Sequence, residues 1–319
     1  MKKALKITGK VLLWIFWIIV GLVIISAVTH NILKPMEKKK YIIGQTIKVD
    51  GKNMQTYVTG SGEKTIVLLS GLGTASPIID FMPLAERLSE DYKVIILEYF
   101  GYGFSDTTKE ERSNDNIVNE VRSALQELEI DGPYILMPHS ISGVYAMYYA
   151  INYPDEVEAI IGIDESIPNQ TKINKDSNMS PYLTLLNTFG IIRDITYLLP
   201  NADDGMNKNN YYSAEQVKIN KMATAWNSVN VSVINEFNMV NANTKELYDM
   251  KYPNDLPVLT FLAKNSVDED KEWITLHEEV ISNSVIQKIK TLYGEHYLHW
   301  TNADNITQMT KEFITTYLN

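Results

Sequence analysis

Residues 135–150 read ILMPHSISGVYAMYYA, and the seat of Ser140 in that stretch decides how the whole chain is read. An apolar run leads into Pro138, a short polar turn follows, and an apolar helical pattern begins. A serine on a sharp strand-to-helix turn is usually framed G-x-S-x-G. Here Pro138 stands at the first glycine position and Ser142 at the second. Strand end and helix start nearly collide in such a turn, so both positions need small groups. Ser142 is small and Gly143 lies beside it. Proline lacks an N–H and holds φ near −65°, but at a strand's last residue that costs little. Ser140 therefore stands as a candidate nucleophile, against the alternative of an ordinary buried serine in a β–α turn.

Working outward, short β-rich runs alternate with amphipathic segments. TIKVD and MQTYVTG form an expected hairpin around Asp50-Gly51. TIVLLS (65–70), KVIILE (93–98), PYILM (133–137), AIIGID (159–164), PVLTFLA (257–263) and IKTLY (289–293) are apolar enough for strands buried on both faces. Helical stripes lie between and after them: Ile117, Val121, Ala124 and Leu128; Trp273, His277, Val280 and Ile281; Ile306, Met309, Phe313 and Tyr317. Alternation of this kind implies an α/β fold, a mostly parallel central sheet with helices on both faces. The rhythm breaks over residues 165–256, which are rich in Asn, Tyr and Met. They are expected to form a helical cap, or lid, inserted into a core of 41–164 and 257–319. Its aromatic residues, such as Tyr182, Phe189, Tyr197 and Trp226, are candidates for cap core or for an apolar pocket.

The first forty residues are different in kind. VLLWIFWIIVGLVIISAVT, about residues 11–29, carries no charge, and at 1.5 Å per residue it spans about 28 Å, close to the hydrocarbon core of a bilayer. Lysines flank it, with Trp14 and Trp17 near the first interface. It is longer than the apolar core of a signal peptide, so a retained single-pass anchor is expected over 1–40, with the following domain outside the cytoplasm. That anchor region holds eight lysines and one acid, leaving 21 basic and 38 acidic residues in 41–319. A body so acidic repels nucleic acid. Cysteine is absent, which excludes disulfides, thiol catalysis and cysteine metal sites.

Four local motifs, in order, make residues 45–319 resemble the α/β-hydrolase family. LLSGLGTASP is similar to its loop after the third strand, with Ser70 in place of histidine. EYFGYGFSD is similar to its fourth-strand loop, with Glu98 in place of aspartate. PHSISG resembles the nucleophile elbow, and GEHYLHW before an amphipathic helix resembles the histidine loop. The resemblance implies a serine hydrolase acting on an ester or amide through an acyl-enzyme, without metal or cofactor. His296, in Gly294-Glu295-His296, is the expected base, with His299 the alternative; His277 sits on an apolar stripe as a packing residue. Asp164 is the expected acid and Asp268 the alternative, although Ser266-x-x-Glu269 reads as a capping box that would claim Asp268 for a helix start. Backbone N–H groups of Leu72 and Ile141 are the implied oxyanion donors. The substrate expected is a small or lipid-like ester. Rival readings are an acyltransferase or peptidase on the same fold, and an anchored, non-catalytic binding module.

Overall fold

Five of the six apolar runs become the middle of one eight-stranded sheet in the order β1-β2-β4-β3-β5-β6-β7-β8, whereas IKTLY, expected to be buried on both faces, falls in the edge strand β8 and is mostly exposed because no further strand covers it. The strands are β1 (Gln45–Val49), β2 (Lys52–Thr59), β3 (Thr65–Leu69), β4 (Lys93–Glu98), β5 (Tyr134–Pro138), β6 (Val157–Ile163), β7 (Val258–Ala263) and β8 (Gln287–Leu292). This computed structural model describes residues 2–170, 178–199 and 205–318. β1 and β2 form the expected hairpin, turning through Asp50 and Gly51 at φ 48° and 75°, the pair of left-handed residues a two-residue hairpin favours. β2 runs antiparallel to β4, and every pairing from β4 across to β8 is parallel.

Helices cover both faces: α2 (Pro77–Leu88) and α11 (His299–Tyr317) on one, α3 (Asn114–Glu127) and α4 (Ser142–Asn152) on the other. The strand period of two divides the core. Ile66 and Leu68 of β3 pack with Ile78, Phe81 and Ile306, while Val67 and Leu69 pack with Ile117, Val121 and Val144. α2 shows no single stripe in its sequence because it is buried nearly all round and carries Pro77 and Pro83. Pro77 opens it, where a missing N–H is harmless.

Strand order reverses between β3 and β5. The chain leaves β3 for β4 on one side and β5 for β6 on the other, so the loops after β3 and β5 diverge and open a crevice at the strands' carboxyl ends. Between β6 and β7 the described chain is helical: α5 (Thr184–Thr188), α6 (Ile191–Leu198), α7 (Ala214–Asn227) and α8 (Val231–Glu246). The expected cap interval also includes 171–177 and 200–204, which lie outside the described residues.

The N-terminal helix, α1 (Lys2–Tyr41), runs well past the expected span and through Pro35. Its Thr8–Tyr41 portion is long and apolar enough to cross a membrane. The side chains of Leu12, Trp14, Trp17 and Leu22 stand exposed on it. From Ser26, near the end of the charge-free segment, onward the same helix packs on α5, α6 and α7. The lysine-rich flank, expected only as a basic edge, is thus part of the folded body: Lys34 Nζ donates to the Trp226 carbonyl (3.1 Å) and Lys38 Nζ to that of Ser105 (3.4 Å).

Candidate functional site

The elbow forms at the crevice. β5 ends at Pro138, and His139 N–H still donates to Leu69 O (2.9 Å), holding the turn to β3. Ser140 then takes φ 53°, a left-handed conformation that costs a non-glycine residue about 1–3 kcal/mol. Helical bonding starts at once, with Gly143 N–H on Ser140 O (2.9 Å). The crowding is real at both glycines. A Cβ on Gly143 would lie 2.3 Å from Ser166 O, and one on Gly71 would lie 2.9 Å from Ser140 Cβ. Ser142 fits because its hydroxyl has partners: it donates to Ser70 O (2.5 Å) and lies 3.0 Å from the Tyr99 hydroxyl. The two departures from the glycine frame are therefore both accommodated, one by position in the strand and one by hydrogen bonding.

The His296 ring reaches this turn from the loop after β8. Its Nε2 lies 2.9 Å from Ser140 Oγ, and its Nδ1 lies 2.7 Å from Asp164 Oδ2. A carboxylate only accepts, so Nδ1 carries the proton and the Nε2 lone pair faces the serine hydroxyl. Asp164 follows β6 at φ 43° and is fully buried. Burying that charge costs several kcal/mol unless donors surround it. Besides His296, it accepts from Ala263 N–H (2.9 Å), Ser266 Oγ–H (2.6 Å) and Trp273 Nε1–H (3.3 Å).

The alternatives go elsewhere. Asp268 pairs at the surface with Lys264 and Lys271. His299 is buried with its Nε2 2.8 Å from Asp80 Oδ2. His277 is buried too, its ring nitrogens within 2.7 Å of Trp273 O and 3.1 Å of Glu165 O. The expected capping box does not form: Ser266 lies inside a short helix, α9 (Lys264–Glu269), and α10 (Trp273–Ile281) starts after it. Accepting a helix-end N–H would turn the Ser266 hydroxyl away, whereas here it donates to the buried Asp164 carboxylate, a stronger charge-assisted bond.

Several contributors carry no sequence motif. Ser266 and Trp273 are two of them. His139 is another: its Nε2 lies 3.1 Å from the His296 carbonyl, so it donates there and holds the loop bearing His296. Burial and the neighbouring His299 and His296 hold the His139 pKa well below the ordinary imidazole value, which keeps the ring neutral. Glu165, beside Asp164, is buried and bonded by the Thr260 hydroxyl (2.8 Å); burial pushes it up to about 8. Glu98 organises the fourth-strand loop by accepting from Ser76 Oγ–H (2.8 Å) and Phe104 N–H (2.6 Å), and a Cβ at Gly103 would strike its carboxylate.

Neither Leu72 N–H nor Ile141 N–H has a hydrogen-bond acceptor among the described residues, so both donors remain available in the loops flanking Ser140. The loop after β3 is braced from α8: Gly73 N–H donates to the Tyr102 hydroxyl (3.1 Å), which donates to Glu236 Oε2 on that helix (2.8 Å). A cleft of about 510 Å³ opens over Ser140 and His296, lined by Ser166, Gln170, Asn265 and Ser266 among others. Its lining is largely polar, and none of the cap aromatics suggested for a pocket takes part. Trp226 is instead buried in the same apolar cluster as Ile66 and Phe81, and Tyr182, Phe189 and Tyr197 are exposed. Among the described residues no group of three or more His, Cys, Asp or Glu is placed to hold a metal ion.

Comparison with known proteins places this architecture. A family model for the alpha/beta hydrolase fold matches residues 64–186. The Bacillus subtilis protein YbdG, itself uncharacterized, is 28% identical over 323 residues, covering 97% of this chain and 99% of its own. Karrikin insensitive 2 receptor IA of Petunia hybrida is 34% identical over 113 residues, 34% of this chain and 40% of the receptor. Among solved structures, a provisionally assigned epoxide hydrolase of Pseudomonas aeruginosa superposes with TM-score 0.67 at 14% identity, covering 86% of this chain and 95% of that one. The Vigna radiata epoxide hydrolase VrEH1 superposes with TM-score 0.60 at 14% identity, covering 87% and 99%. Likeness at such identities speaks to the fold alone.

Proposed function

We propose that this chain, which has the α/β-hydrolase fold, is a membrane-anchored serine hydrolase of carboxylic esters. The observation that carries the reading is the continuous line from Asp164 through His296 to Ser140, at 2.7 and 2.9 Å. A serine hydroxyl becomes a useful nucleophile when a neighbouring imidazole removes its proton. In this reading His296 Nε2 takes the Ser140 proton as Oγ attacks the carbonyl carbon. Leu72 and Ile141 N–H groups then stabilise the oxyanion. The imidazolium is held by Asp164 and returns its proton to the leaving alkoxide. His296 next deprotonates a water that attacks the acyl-Ser140 carbonyl, releasing the acid and restoring the serine.

The nature of the nucleophile separates this reaction from that of the epoxide hydrolases the fold resembles. Attack by Ser140 on an epoxide carbon would leave an ether, which offers water no carbonyl to attack, and the enzyme would stop after one event. An acyl substrate leaves an ester, which His296 can clear. Ester cleavage is favoured over amide cleavage because an alkoxide leaves more readily than an amine. Anchorage is read from α1, with its charge-free stretch of exposed apolar side chains, and a domain outside the cytoplasm is part of the same proposal. The interval 165–256 is read as the cap.

A fluorophosphonate probe on the full-length protein in detergent tests the chemistry. Labelling of the wild type that disappears in Ser140→Ala, with p-nitrophenyl ester turnover lost in parallel, is the expected result. A folded wild type that neither labels nor turns over would overturn the reading and leave an anchored binding module.

A further inference from the structure

We propose that the α5–α6 corner of the cap is itself a lipid-contacting surface, seated at the headgroup–acyl boundary of the leaflet that α1 leaves. The inference rests on reading α1 as a retained membrane span. Two independent observations lead to it.

The first is where the cap touches α1. A Cβ on Gly190 would lie 2.6 Å from both Ser26 O and Ser26 Oγ and 2.9 Å from His30 Cβ, so Gly190 packs directly on this turn of α1 with no room for a side chain of its own. Asn31 Nδ2 donates to Thr188 O (3.0 Å) one turn further on. Ser26 belongs to the charge-free segment, and the next charge is Lys34. The corner therefore sits at the depth where hydrocarbon gives way to headgroups. The attachment is firm. Arg193 makes a bidentate pair with Glu37 (2.9 and 2.6 Å), and Trp226 Nε1–H donates to the same carboxylate (2.8 Å). These contacts tie α1 to the corner, so an anchor that crosses the bilayer brings the corner to its surface.

The second is that the helices at the corner are inside out. In α6 the buried residues are Arg193 and Thr196, and in α5 the buried one is Asn187. Leu185, Phe189, Ile195, Tyr197, Leu198 and Leu199 are exposed, with only Thr188 and Asp194 as polar neighbours on the exposed side. A helix in water buries its apolar stripe and shows its polar one. Reversal of that pattern, concentrated beside a spanning helix, is the pattern of an element lying in the interface, where apolar side chains enter to a depth of about 5–10 Å. Continuity with the exposed apolar surface of α1 selects lipid as the occupant.

The chain has no cysteine, so single cysteines can be placed and labelled with an environment-sensitive fluorophore. Full-length variants Phe189→Cys, Leu185→Cys, Ile15→Cys and Val285→Cys would be reconstituted into phosphatidylcholine–phosphatidylglycerol vesicles with and without lipids carrying a shallow or a deep doxyl quencher. Ile15 lies in the α1 span; Val285 precedes β8, at the end of the sheet opposite the crevice. The expected result is at least a twofold loss of emission by shallow quencher at 189 and 185, quenching at 15, and none at 285. Quenching at 15 with none at 189 and 185 would overturn the proposal and leave the anchor intact. No quenching at 15 would remove the anchor reading, and this proposal with it. Quenching between labels at 189 on separate copies, without quenching by lipid, would assign the face to a dimer and overturn the proposal.

Discussion

Two histidines three residues apart in sequence each pair with a distant aspartate, with nearly equal geometry. His296 and Asp164 are 2.7 Å apart, His299 and Asp80 2.8 Å. In both, the carboxylate is buried and accepts a tryptophan N–H as well, from Trp273 in one and Trp300 in the other. They part company at the imidazole. The side chain of His296 is 46% exposed and presents its second nitrogen to Ser140, whereas that of His299 is 1% exposed and leaves its second nitrogen without a partner in the core. The same dyad is thus a candidate proton shuttle in one place and a buried strut between α2 and α11 in the other. A histidine–carboxylate contact alone does not mark chemistry; an open path from the second ring nitrogen to a nucleophile and solvent does.

The contrast is broken most directly by exchanging the losses. His296→Ala is expected to lower ester turnover at least ~10⁴-fold while leaving thermal stability nearly unchanged. His299→Ala is expected to leave turnover of the folded protein within about tenfold, and to cost about 3 kcal/mol or more because Asp80 stays buried without its partner. Steady-state kinetics beside thermal melts decide the matter; inactive, fully stable His299→Ala would reverse the assignment.

The two acids sharpen it next. Asp164→Asn should lower kcat by ~10³–10⁴-fold through the wrong imidazole tautomer, and Asp268→Asn should stay within about twofold, since its carboxylate only pairs with surface lysines. Comparable losses in the two variants would count against the triad geometry.

Glu165 gives a signature in pH. Its pKa is raised by burial to about 8 from an ordinary 4.5, so its contribution to stability is full below 4.5, declines as pH rises, and is gone above about 8. Glu165→Gln should therefore gain on the wild type as pH climbs from 5 to 9, by up to ~4 kcal/mol. A stability difference that stays flat over that range would show that Glu165 does not keep its proton. Smallest of all, Ser266→Ala removes one donor from Asp164 and should cost about 1 kcal/mol. That corresponds to a several-fold fall in kcat with KM unchanged; an unaltered kcat would leave the hydroxyl without a positioning role.

Much of this was legible before any coordinates. Strands announce themselves by runs such as TIVLLS and KVIILE because a strand covered on both faces has no polar alternation to blur it. Helix α2 did not, since near-total burial and two prolines erase the period. Ser140 and His296 were nameable because a tight turn and a short loop leave local traces. Asp164 was left in competition with Asp268, because two elements distant in sequence decide which carboxylate meets the imidazole.

By itself the sequence determined the layered α/β architecture, the apolar span at the start and the seat of the serine, for each depends on local periodicity or the sterics of a few neighbouring residues. Only tertiary structure decided which histidine faces the serine and which acid holds it. It also decided that Ser266, Trp273 and His139 contact them, and that α1 packs against α5, α6 and α7. Those outcomes depend on side chains converging from strands and loops far apart in the chain, and neither composition nor spacing encodes that distance.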